Sequence, residues 1–328
     1  MKPTETKDVG MMVIEEVIDN LTGTGGNLSW LERGFVLETD GIIQTVQAEE
    51  PMEGNGEKSC RVYVETPFLG EFPACPERDA AFVRFYSGAN FFGPYRKQGG
   101  DTICLRSSVL ASNRNRDLLP PIILNSLTAQ LTEVFSTTMM VCREMDCVPA
   151  FPNEVYHRPR SGRKLLLTVV DPHIEPSGCS WNNRGVYEFL HQKAQCEGAA
   201  TRIWSSGIAA QYPVILKNEG EADTVGKMFF LVTGSPRHPR WGAGVFSMLK
   251  LPCRFEEAKI GENVFDFNML EQESPTQSHY LGSWCINDED LPVFTSFIPW
   301  FLCSEEILLD QLLSDMERIS WVNHIECY

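Results

Sequence analysis

What this chain most lacks is positive charge. It carries 28 Lys and Arg against 44 Asp and Glu, a net charge of −16 over 328 residues. The deficit is uneven: residues 1–150 and 225–328 each carry a net of −8, while 151–224 are balanced. Binding of nucleic acid through phosphates needs a Lys/Arg surface, and neither end has one to spare. The same shortage argues against an anionic membrane surface. Long apolar runs are missing too. The longest candidates, Lys227 to Val232 and Pro292 to Cys303, fall well short of the roughly 18–20 residues that span a bilayer. The opening Met-Lys-Pro-Thr-Glu-Thr-Lys-Asp has no apolar stretch of the signal-peptide kind.

Catalytic patterns are absent as well. There is no Gly-x-Ser-x-Gly elbow, no Cys-x-x-Cys pair and no His-Glu-x-x-His. Thr22-Gly-Thr-Gly-Gly26 is followed by no Gly-Lys-Ser/Thr, so it reads as a helix stop and not as a phosphate loop. Gly242-Ala-Gly244 lacks a third glycine and lies between two strand-like runs, unlike a dinucleotide fingerprint. These gaps predict no catalytic residue, no metal site and no cofactor. The eleven cysteines follow no disulfide-scaffold spacing. Many sit within apolar runs, as in Thr102-Ile-Cys-Leu105 and Phe301-Leu-Cys303. Free cysteine behaves there as a small buried hydrophobe, and cytoplasmic residence is the expectation.

What is present is an α+β pattern that occurs twice. Met11 to Leu21 repeats apolar residues at three and four, predicting a helix. Phe35 to Thr39 and Ile42 to Val46 flank Asp40-Gly41, a two-residue hairpin signal, because both central turn positions need positive φ. Ser59 to Glu65 continues the sheet and Glu77 to Ala89 forms a helix. A turn at Gly93-Pro94-Tyr95 leads into a strand at Thr102 to Leu110. A long helix from about Leu118 to Met140 follows, with Asp117 as its expected N-cap and Pro120 and Pro121 in its first turn.

The middle stretch opens at the basic, Pro-containing 151–164. It holds a strand at Lys164 to Val170, a helix at Val186 to Cys196 and a strand at Tyr212 to Leu216. Met228 to Thr233 and Gly244 to Leu251 then pair. Phe255 to Leu270 is a helix broken near Gly261, His279 to Ile286 and Val293 to Trp300 are strands, and Ser304 caps a closing helix to Ile319. The expected organisation is an N-terminal unit at 1–150, a connecting segment at 151–224 and a C-terminal unit at 225–328.

One local feature stands apart from the acidic background: Pro236-Arg-His-Pro-Arg-Trp-Gly242. Two guanidinium groups, an imidazole and an indole held by prolines offer bidentate pairing to carboxylate or phosphate and a stacking face. Arg237, His238, Arg240 and Trp241, with Trp284 nearby in pattern, are therefore the candidate ligand- or partner-binding residues. The alternative is a hairpin whose Trp241 folds over the sheet edge. Trp300, Phe301, Trp321, Phe91 and Phe92 at element ends read as core lids, or as lining for a groove or dimer face.

The order helix–strands–helix–strands–helix, acidic and repeated, resembles the YbjN family and the wider fold of type III secretion chaperones. The resemblance is carried by Thr102-Ile-Cys-Leu-Arg-Ser-Ser-Val-Leu110 running into Leu118 to Phe135, and more loosely by Val293 to Ile298 with Ser304 to Ile319. It covers about two thirds of the chain and misses 146–224. It implies a non-enzymatic, protein-binding module of two antiparallel-sheet-plus-helix units, and supplies no catalytic residue. The expected function is a cytoplasmic protein-binding or chaperone-like module, with a protein partner or a second copy of itself. The other reading is a small-molecule sensor or enzyme with a pocket near Arg240 and Trp241.

Overall fold

A computed structural model of the chain describes residues 8–21, 27–54, 57–86, 92–97, 99–152, 184–216, 224–234, 237–238, 242–273, 282–299 and 305–322. It is an α+β protein with two antiparallel sheets and, among the described residues, six helices. In chain order the elements are α1 (Val9–Leu21), β1 (Asn27–Leu31), β2 (Gly34–Thr39), β3 (Ile42–Ala48), β4 (Met52–Gly54), β5 (Glu57–Gly70), α2 (Pro76–Tyr86), β6 (Gly93–Arg96), β7 (Ile103–Ala111), α3 (Leu119–Met145) and β8 (Val148–Pro149). Then come α4 (Arg184–Cys196), β9 (Ala200–Trp204), β10 (Gly207–Leu216), β11 (Thr224–Thr233), β12 (Arg237–His238), β13 (Gly242–Lys250), α5 (Ile260–Glu273), β14 (Gly282–Ile286), β15 (Pro292–Pro299) and α6 (Glu305–Val322).

The two sheets share one plan. The first runs β1-β2-β3-β5-β7-β6, with β4 and β8 also on β5. The second runs β9-β10-β11-β13-β15-β14, with β12 on β13. In each, four strands meander, a helix intervenes, and a closing hairpin inserts its second strand next to the meander. The chain divides into two compact units. One comprises Met1–Pro73, Pro94–Asp171 and Leu270–Tyr280; the other comprises Ala74–Gly93, Pro172–Met269 and Leu281–Tyr328. The stretch expected to connect two domains thus supplies α4, β9 and β10 to the second sheet, while Lys164 to Val170 lies outside the described residues.

In the first unit, the Asp40-Gly41 turn forms as its residues dictate, with φ of 53° and 88° and Thr39 paired to Ile42. Helix α3 packs against β5 and α1, burying Ile122, Ile123, Leu127, Leu131 and Val134. Its start differs from expectation. The chain makes a 3₁₀ turn at Arg116–Leu118, the N-cap is Leu118 without a side-chain bond, and Asp117 pairs with Arg116 at 2.9 Å instead. The turn foreseen at Gly93-Pro94-Tyr95 is strand β6.

In the second unit, α4 packs on β9 and β10, and α6 on β13. Helix α2, drawn from early in the chain, belongs here. The helix expected from Phe255 with a break near Gly261 is a 3₁₀ turn at Glu257–Lys259 followed by α5, which starts at Ile260 and runs to Glu273. A Cβ at Gly261 would lie 2.3 Å from the Cβ of Asp79, so the glycine is there to let α2 approach. Phe82 and Phe265 then meet at 5.9 Å between ring centres, and Arg84 binds Asp290 at 2.9 Å and Glu257 at 2.8 Å.

Candidate functional site

Arg237 and His238 form strand β12, paired to Ala243 and Gly242. Their side chains, and all of Arg240 and Trp241, lie outside the described residues. Trp284 is described, and it is a core residue. It is 1% exposed and stands edge-on to Phe267 and Phe294 at 5.1 and 5.6 Å. Its backbone N–H donates to the Asn268 side chain at 2.8 Å. Fully enclosed, its ring presents no surface to a ligand.

A surface that does face outward emerges from the register of the second sheet. Side chains alternate across a strand, so Ile208, Ala210, Tyr212 and Val214 share one face with Met228, Phe230, Val232 and Leu249. All of these are buried. The opposite face carries Ala209, Gln211, Pro213 and Ile215 on β10, matched by Leu231, Phe229, Lys227 and Val225 on β11. Met248 and Phe246 extend this face onto β13. It is apolar yet open: Phe229, Leu231, Phe246 and Met248 are half-buried, and Ile215 and Val225 are 66% and 75% exposed. An exposed cross-strand aliphatic pair beside half-buried aromatics is the composition of a contact surface, since isolated apolar residues alone would be unremarkable.

At the β9 end the face deepens into a concavity of about 640 Å³, lined by Arg202, Trp204, Ala209, Gln211 and Phe229. Strand β9 is the last in the sheet order, paired only to β10 among the described strands. Its outer backbone edge therefore borders the concavity. The face also carries Arg202 and Lys227, both exposed. A smaller hollow of about 560 Å³ lies by α4, where Arg184 and Glu188 pair with each other at 2.7 Å and His191 Nδ1 shares a hydrogen bond with the Thr201 hydroxyl at 2.7 Å.

The corresponding face of the first sheet is built differently. Glu65 on β5 and Arg106 on β7 are register partners and bond at 3.0 Å. The Tyr95 hydroxyl donates to the same carboxylate, and Lys97 approaches it at 3.4 Å. The Arg106 guanidinium lies 4.2 Å over the Tyr63 ring. Burial works against the Glu65 charge, but the Tyr95 hydroxyl and the Arg106 and Lys97 cations outweigh it and hold the carboxyl below its ordinary range. Burial first, then the Glu65 charge, push the Tyr95 hydroxyl upward. Each member answers another, which makes the cluster a closed ionic cap and leaves no free acid or base.

The buried thiols of Cys60, Cys104 and Cys285 are poorly suited to nucleophilic work. Burial raises Cys60 to about 11, and Cys104 and Cys285 each to about 12. Cys253 is disulfide-bonded, a pairing that the spacing of the cysteines does not announce. Among the described residues no group of three or more His, Cys, Asp or Glu is placed to hold a metal ion, and no described helix is long and apolar enough to cross a membrane. No family model matches the chain, and no curated protein and no solved structure matches it.

Sequence reasoning missed the outer face of β10 and β11. Its signal was present in Ile208-Ala-Ala-Gln-Tyr-Pro-Val-Ile215, where apolar residues fall on both parities. A strand apolar on both faces and not covered on both is a surface feature that only the sheet register reveals.

Proposed function

We propose that this chain is a non-enzymatic protein-binding module, of the chaperone-like kind its sequence resembles, and that it holds its partner on the open face and edge of β9, β10 and β11. The observation that carries this reading is the apolar stripe of exposed Ile215 and Val225 and half-buried Phe229 and Leu231, ending in the concavity at Trp204. An extended segment added alongside β9 would hydrogen-bond to its edge and drop alternate side chains into that concavity. Arg202 and Lys227 favour a segment that carries carboxylates as well as apolar groups. The repeated order of elements supports a binding module in another way: it supplies two sheets, one of which keeps an open apolar face.

The test is capture of partners from the host lysate by the tagged full chain and by an Ile215→Asp/Val225→Asp variant. Both substituted positions are solvent-exposed, so the variant is expected to melt within about 0.5 kcal/mol of the parent. A near-stoichiometric protein partner held by the parent and lost by the variant is the expected result. A partner retained equally by both overturns the assignment of the face, and an empty parent overturns the function.

A further inference from the structure

We propose that Cys142 and Cys147 form an oxidation site, a thiol pair that closes to a disulfide and staples the C-terminal end of α3 to the chain that leaves it. The inference rests on how that helix ends. Asp146 takes the left-handed conformation, with φ 49° and ψ 56°, and its N–H bonds back to the Cys142 carbonyl. The Cys147 N–H donates to the same carbonyl at 3.2 Å. This six-to-one bond defines a Schellman turn, whose geometry brings the side chain just beyond the left-handed residue against the one three positions inside the helix. In most proteins that contact is hydrophobic. Here both positions are cysteine, so the turn sets the two thiols side by side.

The surroundings divide the labour. Cys147 is half-exposed and reachable by an oxidant, while Cys142 is buried. Neither is in a disulfide. With hydrogen peroxide the chemistry balances in two steps. The Cys147 thiolate attacks one peroxide oxygen and the O–O bond breaks, giving a sulfenic acid and releasing water after protonation. The Cys142 sulfur then attacks the Cys147 sulfur, the S–O bond breaks, and a second water leaves with the Cys142 proton. Two thiols are oxidised by two electrons and one peroxide is reduced to two waters. The contact with Cys147 and the burial of Cys142 hold the Cys142 thiol protonated, so the first attack falls to its exposed neighbour, and Cys142 attacks only as its proton passes to the hydroxide that leaves Cys147. The staple would tie α3 to β8, whose Val148 and Pro149 pair with Gly70 and Leu69 of β5.

The test uses the full folded chain, treated with a few equivalents of hydrogen peroxide, then alkylated, digested and mapped by mass. Trypsin cleaves after Arg143, between the two cysteines, so a bridge appears as two joined peptides, two hydrogens lighter than their sum. The expected result is that species as the main product, with Cys60 and Cys104 still reduced. The Cys142→Ser variant should accumulate sulfenic or sulfinic acid at Cys147 instead, and Cys147→Ser should leave Cys142 reduced. If parental Cys147 is over-oxidised while Cys142 remains free, or if neither thiol reacts, the site does not exist. Because Cys147→Ser changes only a half-exposed side chain, it remains informative even if Cys142→Ser does not fold.

Discussion

The two sheets of this molecule have the same strand order and opposite insides. In the first unit the hydrogen bonds that join sheet and helix run between neutral groups. Gln44 donates to the Thr66 hydroxyl at 2.9 Å and to the Leu127 carbonyl at 3.0 Å. Thr66 donates to Gln130 Oε1 at 2.7 Å, and the Gln130 amide donates to Val64 O and Ser107 Oγ at 3.1 and 3.0 Å. Its charges stand on the other face, in the Glu65 cluster. In the second unit the interface is ionic. Asp315 of α6 accepts from Arg318 at 2.6 Å, from Gln311 at 3.1 Å and from Ser247, while Ser247 and Ser296 share a bond at 2.6 Å. Arg318 lies 3.6 Å over the Phe294 ring. Here the outer face is apolar and open. Ser107 and Ser296 occupy matching places in the two plans, each on the strand inserted beside the meander. The lesson is that one topology accommodates buried charge on either side of the sheet.

The largest effect that tests this contrast falls on Arg318. It is 0% exposed and its partner Asp315 is 2% exposed. Arg318→Met leaves a carboxylate sealed from water with only neutral donors. The expected loss is about 3–5 kcal/mol in chemical denaturation of the full chain. The double variant Asp315→Leu/Arg318→Met removes both charges and is expected to recover most of that loss, because a buried pair adds little net stability once desolvation is counted. If the single variant costs under about 1 kcal/mol, the interface is not sealed and the contrast between the units fails.

The neutral interface responds to a smaller degree. Gln130→Leu removes the centre of its network and takes one hydrogen-bond partner each from the Thr66 hydroxyl, the Ser107 hydroxyl and the Val64 carbonyl, all buried. Lost hydrogen bonds between neutral groups are expected to cost about 2–3 kcal/mol. The midpoint of unfolding should fall accordingly, without a change in slope. A cost equal to that of Arg318→Met would mean that charge makes no difference to how these interfaces are held.

Much of the framework was legible because it is written in local chemistry. Asp40-Gly41 dictates its own turn, and the apolar stripe from Ile122 to Val134 dictates α3. The membership of α2 in the second unit was not legible, since only a missing Cβ at Gly261 betrays the approach of Asp79. Nor was the burial of Asp315 and Arg318. The apolar spacing of Ile307, Leu308, Leu312, Leu313, Met316 and Ile319 marks the buried side of the closing helix and places its charges outside. These two are tolerated inside because each answers the other three residues away and Ser247 lies opposite. The open face of β10 and β11 was hidden for the converse reason. Apolar residues are assumed to be covered, and exposure depends on register with distant strands. Of the five foreseen site residues, four have side chains outside the described residues and Trp284 belongs to the core.

The smallest expected effect carries a sign that distinguishes the outer faces. Glu65 is held below its ordinary range in the folded chain. A carboxyl with a depressed folded value binds fewer protons folded than unfolded in the window between the two values. Its stabilising contribution is therefore present above the unfolded value, near pH 4.5, and is lost as pH falls through the folded one. Glu65→Gln should cost about 1.5 kcal/mol at neutral pH, where a charge-assisted bond to Arg106 and the bond from Tyr95 are weakened. The gap between variant and parent should narrow steadily below about pH 4.5. On the apolar face of the second sheet the Ile215→Asp/Val225→Asp variant has no native carboxylate to lose, and its gap should stay flat through neutral pH. A Glu65→Gln gap that is equally flat down to pH 3 would show that the cluster is solvated and screened. The first sheet's outer face would then be no more closed than the second's, and the inversion between the two units would reduce to their interiors.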